Sequence, residues 1–210
     1  TVSIKQLAAG FAIAQGAIMM VEAALRKIVG VIGSFINVNS QMEQVRMQFK
    51  VMIGDAKKYQ EIFAATKKFA DTTPFTDIDT YRAGQQLLSA QIKDLNEYKA
   101  ALATVGDLAA ASGRPIQEVA GAYARLKSGA SGEAMEALRQ MNISRSMFEA
   151  KGIQFDSSGQ ALATSQQMTK ALDEIVKSNF GGLTQELSTK WAGLWSTFSS
   201  NVDNAAREVT

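Results

Sequence analysis

The chain has 210 residues, 46% of them apolar and 20% charged, with 22 Lys and Arg against 20 Asp and Glu for a formal net charge of +2. Such a length supports one domain with a real core, or one domain with a helical extension. The absence of cysteine excludes a disulfide framework and thiolate metal sites, the absence of histidine removes the commonest general base and transition-metal ligand, and the interspersed charges argue against specific nucleic-acid binding.

The chain begins at Thr1, with no initiator methionine, basic leader or cleavage site, so it is expected to be cut from a longer protein. From Ile4 to Phe35 the apolar residues recur at alternating steps of three and four, which is a heptad seam. With Ile4 at position a, the a series reads Ile4, Phe11, Ile18, Leu25, Ile32 and Asn39, and the d series reads Leu7, Ala14, Val21, Ile28, Phe35 and Met42. β-branched residues at d, Val21 and Ile28, disfavour a parallel dimer and shift the preference to three or more strands. The pattern therefore predicts a homo-oligomer, a trimer, with an interface of Leu7, Phe11, Ile18, Val21, Leu25, Ile28, Ile32 and Phe35.

Two other readings of this stretch stay open. Gly10, Ala17, Ala24, Val31 and Val38 at position g widen the stripe, which also suits an amphipathic helix packed on its own domain. Membrane insertion is the other, although the uncharged run from Gln6 to Val21 is shorter than the roughly 20 residues that cross a bilayer. Glu22, Arg26 and Lys27 interrupt its continuation.

Past Asn39 the pattern is that of a compact helical domain with frequent breaks. Val45, Phe49, Met52 and Ile53 make one helical face up to Gly54-Asp55, and Tyr59, Ile62, Phe63, Thr66 and Phe69 make the next. Thr72-Thr73-Pro74 stops it, and Thr76 with Asp79 reads as the capping box of a helix that carries Ile78, Tyr81, Leu88 and Ile92 inward. Asp94 or Asn96 is expected to cap a helix with Tyr98, Leu102, Val105 and Ala109 on one face, ending at Ser112-Gly113. Pro115 suits the first position of the following helix, lined by Ile116, Val119, Tyr123 and Leu126.

Gly129-Ala-Ser-Gly132 reads as a flexible joint, with Ser131 as the cap of a short helix bearing Met135, Leu138 and Met141. Ser144 opens one or two more turns. Ile153, Phe155 and the turn Asp156-Ser-Ser-Gly159 are the only strand-like piece, too short to build a sheet. Leu162, Met168, Leu172 and Ile175 then share one helical face, and Leu183, Leu187, Trp191, Leu194, Phe198, Val202 and Ala205 share the last, with Gly181-Gly182 as the hinge between them. The expected fold is all-α: a long N-terminal coiled-coil-like helix (1–40), a compact multi-helix domain (41–182) and a C-terminal amphipathic helix (183–210).

Chemistry-bearing motifs are sparse. Trp191-Ala-Gly193 matches the Trp-x-Gly bend of small secreted helical hairpins, but Trp191 and Trp195 lie one turn apart on an apolar face, which core packing explains better. Asp77 with Asp79, and Asp173 with Glu174, read as ordinary capping and solvated carboxylates and not as a glycosidase pair. Gly106 and Gly113 lack the Lys-Ser/Thr of a phosphate loop. The nine methionines, Met19, Met42, Met52, Met135, Met141 and Met168 among them, read as adaptable core fillers. No catalytic residue, metal site or cofactor is expected.

Five blocks occur in one order along the chain: Phe69-Ala-Asp-Thr-Thr-Pro-Phe75, then Val105 to Pro115, Tyr123-Ala-Arg-Leu-Lys-Ser-Gly129, Leu138-Arg-Gln-Met-Asn-Ile143 and Gly182 to Phe198. Together they resemble the family of phage tail tape-measure proteins. The resemblance implies a non-enzymatic virion protein, assembled in the bacterial cytoplasm, that runs along the tail lumen and sets tail length. It implies contacts with tail-tube and tail-tip or hub proteins and with tail assembly chaperones, and release toward the host membrane during genome ejection. The class-different alternative is a membrane-inserting helical protein that uses Ile4 to Phe35 as a channel or envelope-penetrating element.

Overall fold

The structure, a computed structural model, describes residues 35–190, with side chains from residue 41 onward. Within that stretch lie the helices α1 (Phe35–Ile53), α2 (Ala56–Asp71), α3 (Asp77–Ser89), α4 (Leu95–Ser112), α5 (Ile116–Lys127), α6 (Ser131–Gln140), α7 (Arg145–Glu149) and α8 (Ser165–Phe180). A further helical stretch starts at residue 183 and reaches residue 190. Among the described residues there is no strand, and the strand-like piece is reduced to an isolated antiparallel bridge between Phe155 and Ala161. The expected seam over residues 4–35 and the aromatic face of Trp191, Trp195 and Phe198 lie outside the described side chains.

Local chemistry sets most helix ends. The Asp55 carboxylate accepts from the Lys58 amide (2.7 Å) at the start of α2, and Asp94 accepts from Asn96 and Glu97 (both 3.0 Å) at the start of α4. Each binds an amide that has no partner within the helix. Thr76 accepts from the Asp79 amide (3.3 Å) and donates its hydroxyl to the Asp79 carboxylate (2.6 Å), so the expected box closes side chain to side chain. Thr164 and Gln167 form a full reciprocal capping box on α8. Gly113, at φ 69°, ends α4 in the left-handed conformation that glycine adopts without a Cβ penalty.

Three expectations are corrected. Pro115 stands just outside α5 with extended backbone (φ −55°, ψ 132°), its carbonyl accepting from Glu118 and Val119. Ser131 is the first residue of α6 and not its cap, because the Ala130 carbonyl already accepts from the Ala134 amide (3.0 Å), which draws the backbone into the helix one residue earlier. Leu162 is 64% exposed instead of buried, since its amide is held by the Gln154 carbonyl (2.8 Å) in the bridged turn and α8 begins only after Thr164.

The helices enclose one contiguous apolar core. α3 lies against α1, α2, α4 and α5, while α8 closes the far side against α4, α5 and α7. Phe49, Ile62, Leu87, Tyr98, Leu102, Leu126 and Phe148 are fully buried within it. Phe49 meets Phe63 and Tyr81 edge-on, with ring centroids 5.7 and 5.8 Å apart. Gly84 is where α3 passes closest to its neighbours, because a Cβ there would run into the Tyr98 hydroxyl and the Phe49 ring. The Tyr98 hydroxyl is paired with Thr66 at 2.7 Å, which satisfies a polar group that burial would otherwise penalise.

Carrying the N-terminal heptad register forward puts Met42 and Phe49 at d and Val45 and Met52 at g. All four pack in or against this core. Beyond residue 41, therefore, that face of α1 is used by its own domain.

Candidate functional site

None of the eight residues expected at an oligomer interface has a described side chain; Phe35 is placed only as the first backbone position of α1. What the described residues do contain is a groove of about 520 Å³ between α4 and α8, lined by Ala100, Ala103 and Val176 together with Thr104, Asp107, Asp173 and Lys177. Alanines on α4 let α8 approach and leave a shallow channel along their line of contact. The connection Gly181-Gly182 also lines it.

Asp173 is the most unusual carboxylate along this groove. It accepts from the Thr104 hydroxyl on α4 (2.8 Å) and from the Tyr123 hydroxyl on α5 (3.1 and 3.3 Å to its two oxygens). Loss of water around it raises its carboxyl above the usual carboxylate range, against the opposing pull of the two hydroxyl donors and of Lys127. Burial, followed by the charge of Asp173, pushes the Tyr123 phenol far above the ordinary phenol range. The hydroxyl thus stays a donor. Chemically this is a clamp joining α4, α5 and α8, with an ion pair between Lys127 and Glu97 beside it. Reading Asp173 as a solvated helix-surface carboxylate is therefore corrected, while Asp79 does sit in a first helical turn, where it also accepts from Gln117 (2.5 Å).

A second polar junction lies beside Gly181-Gly182. The Asp107 carboxylate accepts from the Gly182 amide and the Thr184 amide, both at 2.9 Å. One residue before it, Gly106 allows α4 to meet α2 and the last helical stretch at once: a Cβ there would fall 2.6 Å from the Phe69 ring and 3.2 Å from the Thr184 hydroxyl oxygen. Phe69 in turn stacks on Phe75 across the Pro74 corner (6.3 Å, 7° between planes). Residues from three of the five sequence blocks therefore meet at one place.

Another surface recess, of about 450 Å³, is lined by Arg145, Glu149 and Phe155. Arg145 lies 4.5 Å over the Phe155 ring and pairs with Glu149 at 2.9 Å, so its charge is engaged within the recess. Among the described residues no group of three or more carboxylates is placed to hold a metal ion, and no helix is long and apolar enough to cross a membrane.

Sequence reasoning missed both Asp173 and Asp107 as organising residues. Nothing local distinguishes them from other helix-surface carboxylates, because their partners lie 50 to 77 positions away. Comparison with protein-family models, with curated proteins and with solved structures finds no match to this chain.

Proposed function

We propose that the chain is a structural segment of a phage tail tape-measure protein, acting by occupying length and by contact, with no catalysis of its own. What carries the reading is the order of the five blocks together with the kind of position they occupy. Phe69 and Phe75 form a stacked corner. Gly106 is a point of close helix approach, Tyr123 is one arm of the Asp173 clamp, and Leu138, Met141 and Ile143 are core residues. Blocks of this kind preserve a shape and supply no reactive group.

On this reading several copies, three by the heptad pattern, bundle through the N-terminal seam along the tail lumen. Tube subunits and assembly chaperones surround them, and the tip or hub complex meets their end. Inside the tube the compact helical domain is a knob on an otherwise linear ruler. Length is set by extended helix, at about 1.5 Å per residue.

In-frame deletions in the parent gene test the assignment. Removing helical stretches outside residues 41–182 is expected to shorten tails by about 1.5 Å per residue removed, as measured by electron microscopy. Removing part of the compact region is expected to impair assembly or infection instead, because a folded knob does not act as a linear spacer. Tails of unchanged length after long helical deletions would defeat the proposal.

A further inference from the structure

The helical stretch that starts at residue 183 has no cap of its own. Its entry is Gly181-Gly182, two residues without side chains, with Gly182 at φ +83°. A carboxylate 75 positions earlier supplies the missing acceptors, one oxygen of Asp107 taking the Gly182 amide and the other the Thr184 amide. An N-terminal turn without acceptors for its first amides frays. The structure of this turn thus depends on its being docked.

Of residues 183–190 only Thr184 is buried, Leu183, Leu187 and Ser188 are half-buried, and none belongs to the hydrophobic core. Among the described residues a further tether is the Ser188 hydroxyl, which donates to the Thr72 carbonyl at 2.7 Å. Thr184 fits because Gly106 leaves space for it. Two polar junctions, together with the covered faces of Leu183, Thr184 and Leu187, hold this stretch to the body.

We infer that the stretch beginning at residue 183 is a releasable arm, hinged at Gly181-Gly182, whose helical start is formed only when Asp107 on α4 caps it. Release exposes two backbone amides and the covered faces of Leu183, Thr184 and Leu187, none of which belongs to the core, so the arm leaves without unfolding α1 to α8. Docking and helix formation are one event, so undocking from Asp107 also erases the first turn of the stretch.

Amide hydrogen exchange on the full chain tests this. Asp107→Ala is expected to speed exchange over residues 183–190 about tenfold while the slow amides of α4 and α5 keep their rates. Asp107→Asn, which retains one acceptor oxygen, is expected to fall between wild type and Ala. Ser188→Ala, at the far tether, is expected to speed the same residues by about threefold and no others. Equal acceleration of α4, α5 and residues 183–190 in these variants would make the stretch an integral part of the core and overturn the inference. Unchanged exchange over 183–190 would overturn it as well.

Discussion

At the Pro74 corner two adjacent residues have separable roles. Phe75 is buried and stacked on Phe69, whereas Thr76 is partly exposed and acts through its hydroxyl. Phe75→Ala is expected to cost roughly 3 to 5 kcal/mol through lost burial and a residual cavity, and Thr76→Ala about 1 kcal/mol through the lost cap. Urea unfolding of both variants checks this; equal, small changes would show that the corner is not anchored. Buried tyrosines set a second expectation. Burial first, and then nearby acidic charge, pushes the Tyr81 phenol up to about 12, and burial raises Tyr98 and Tyr123 further. A phenol whose folded pKa is raised contributes stability that is whole below the unfolded value of about 10 and is lost as pH rises toward the folded value. Alkaline unfolding is therefore expected to set in above about pH 10, and Tyr81→Phe is expected to flatten the fall of stability between about pH 10 and 12. A pH titration of urea midpoints measures it, and an unchanged slope would mean that Tyr81 titrates alike in both states. The four core tyrosine and phenylalanine positions around α3 were readable from helical spacing, since Phe49, Phe63, Tyr81 and Tyr98 each recur on an apolar face.

Helix boundaries were legible where a capping residue stands out in the sequence, as at Thr76 and Asp94, because the cap and the amide it binds lie within three residues, and the same local chemistry starts α2 at Asp55 and α8 at Thr164. They were not legible where backbone alone starts the helix, as at Ala130, or where a bridged turn delays it, as at Leu162. α8 offers the cleanest test of the first kind. Thr164 accepts from the Gln167 amide (3.2 Å) and Gln167 accepts from the Thr164 amide (2.9 Å). Thr164→Ala is expected to lower stability by about 1 kcal/mol, and Thr164→Ser by no more than a few tenths. Equal losses in the two variants, read from urea midpoints, would show that packing of the Thr164 methyl and not the cap is responsible. Asp173 belongs to the same element but to another kind of contact, since it ties α8 to α4 and α5 and leaves its own helix untouched.

For the molecule as a whole, the compact domain claims the apolar face of α1 for itself. Past residue 41 the d and g positions Met42, Val45, Phe49 and Met52 pack into the chain's own core. Self-association by the proposed seam is accordingly confined to residues before that point. Val21→Glu together with Ile28→Glu places like charges in the seam and is expected to convert an oligomer into monomers while leaving the thermal unfolding of the compact domain in place. Mass measurement by light scattering decides it: a wild-type chain that is strictly monomeric at high concentration would remove the seam from the account.

The sequence by itself determined the all-α class, most helix ends and most of the core, because these follow from spacing, capping and turn chemistry within a few residues of one another. Tertiary structure alone decided that Asp173 becomes a three-helix clamp, that Asp107 caps a stretch far along the chain, and that Gly106 is the meeting point of α2, α4 and that stretch. It also decided that the forward run of the heptad register packs on its own domain. The physical reason is one of distance along the chain. A carboxylate on a helix surface looks the same in sequence whether water or a remote amide satisfies it, and only the packing of α4 against α8 brings those partners within 3 Å of Asp107 and Asp173.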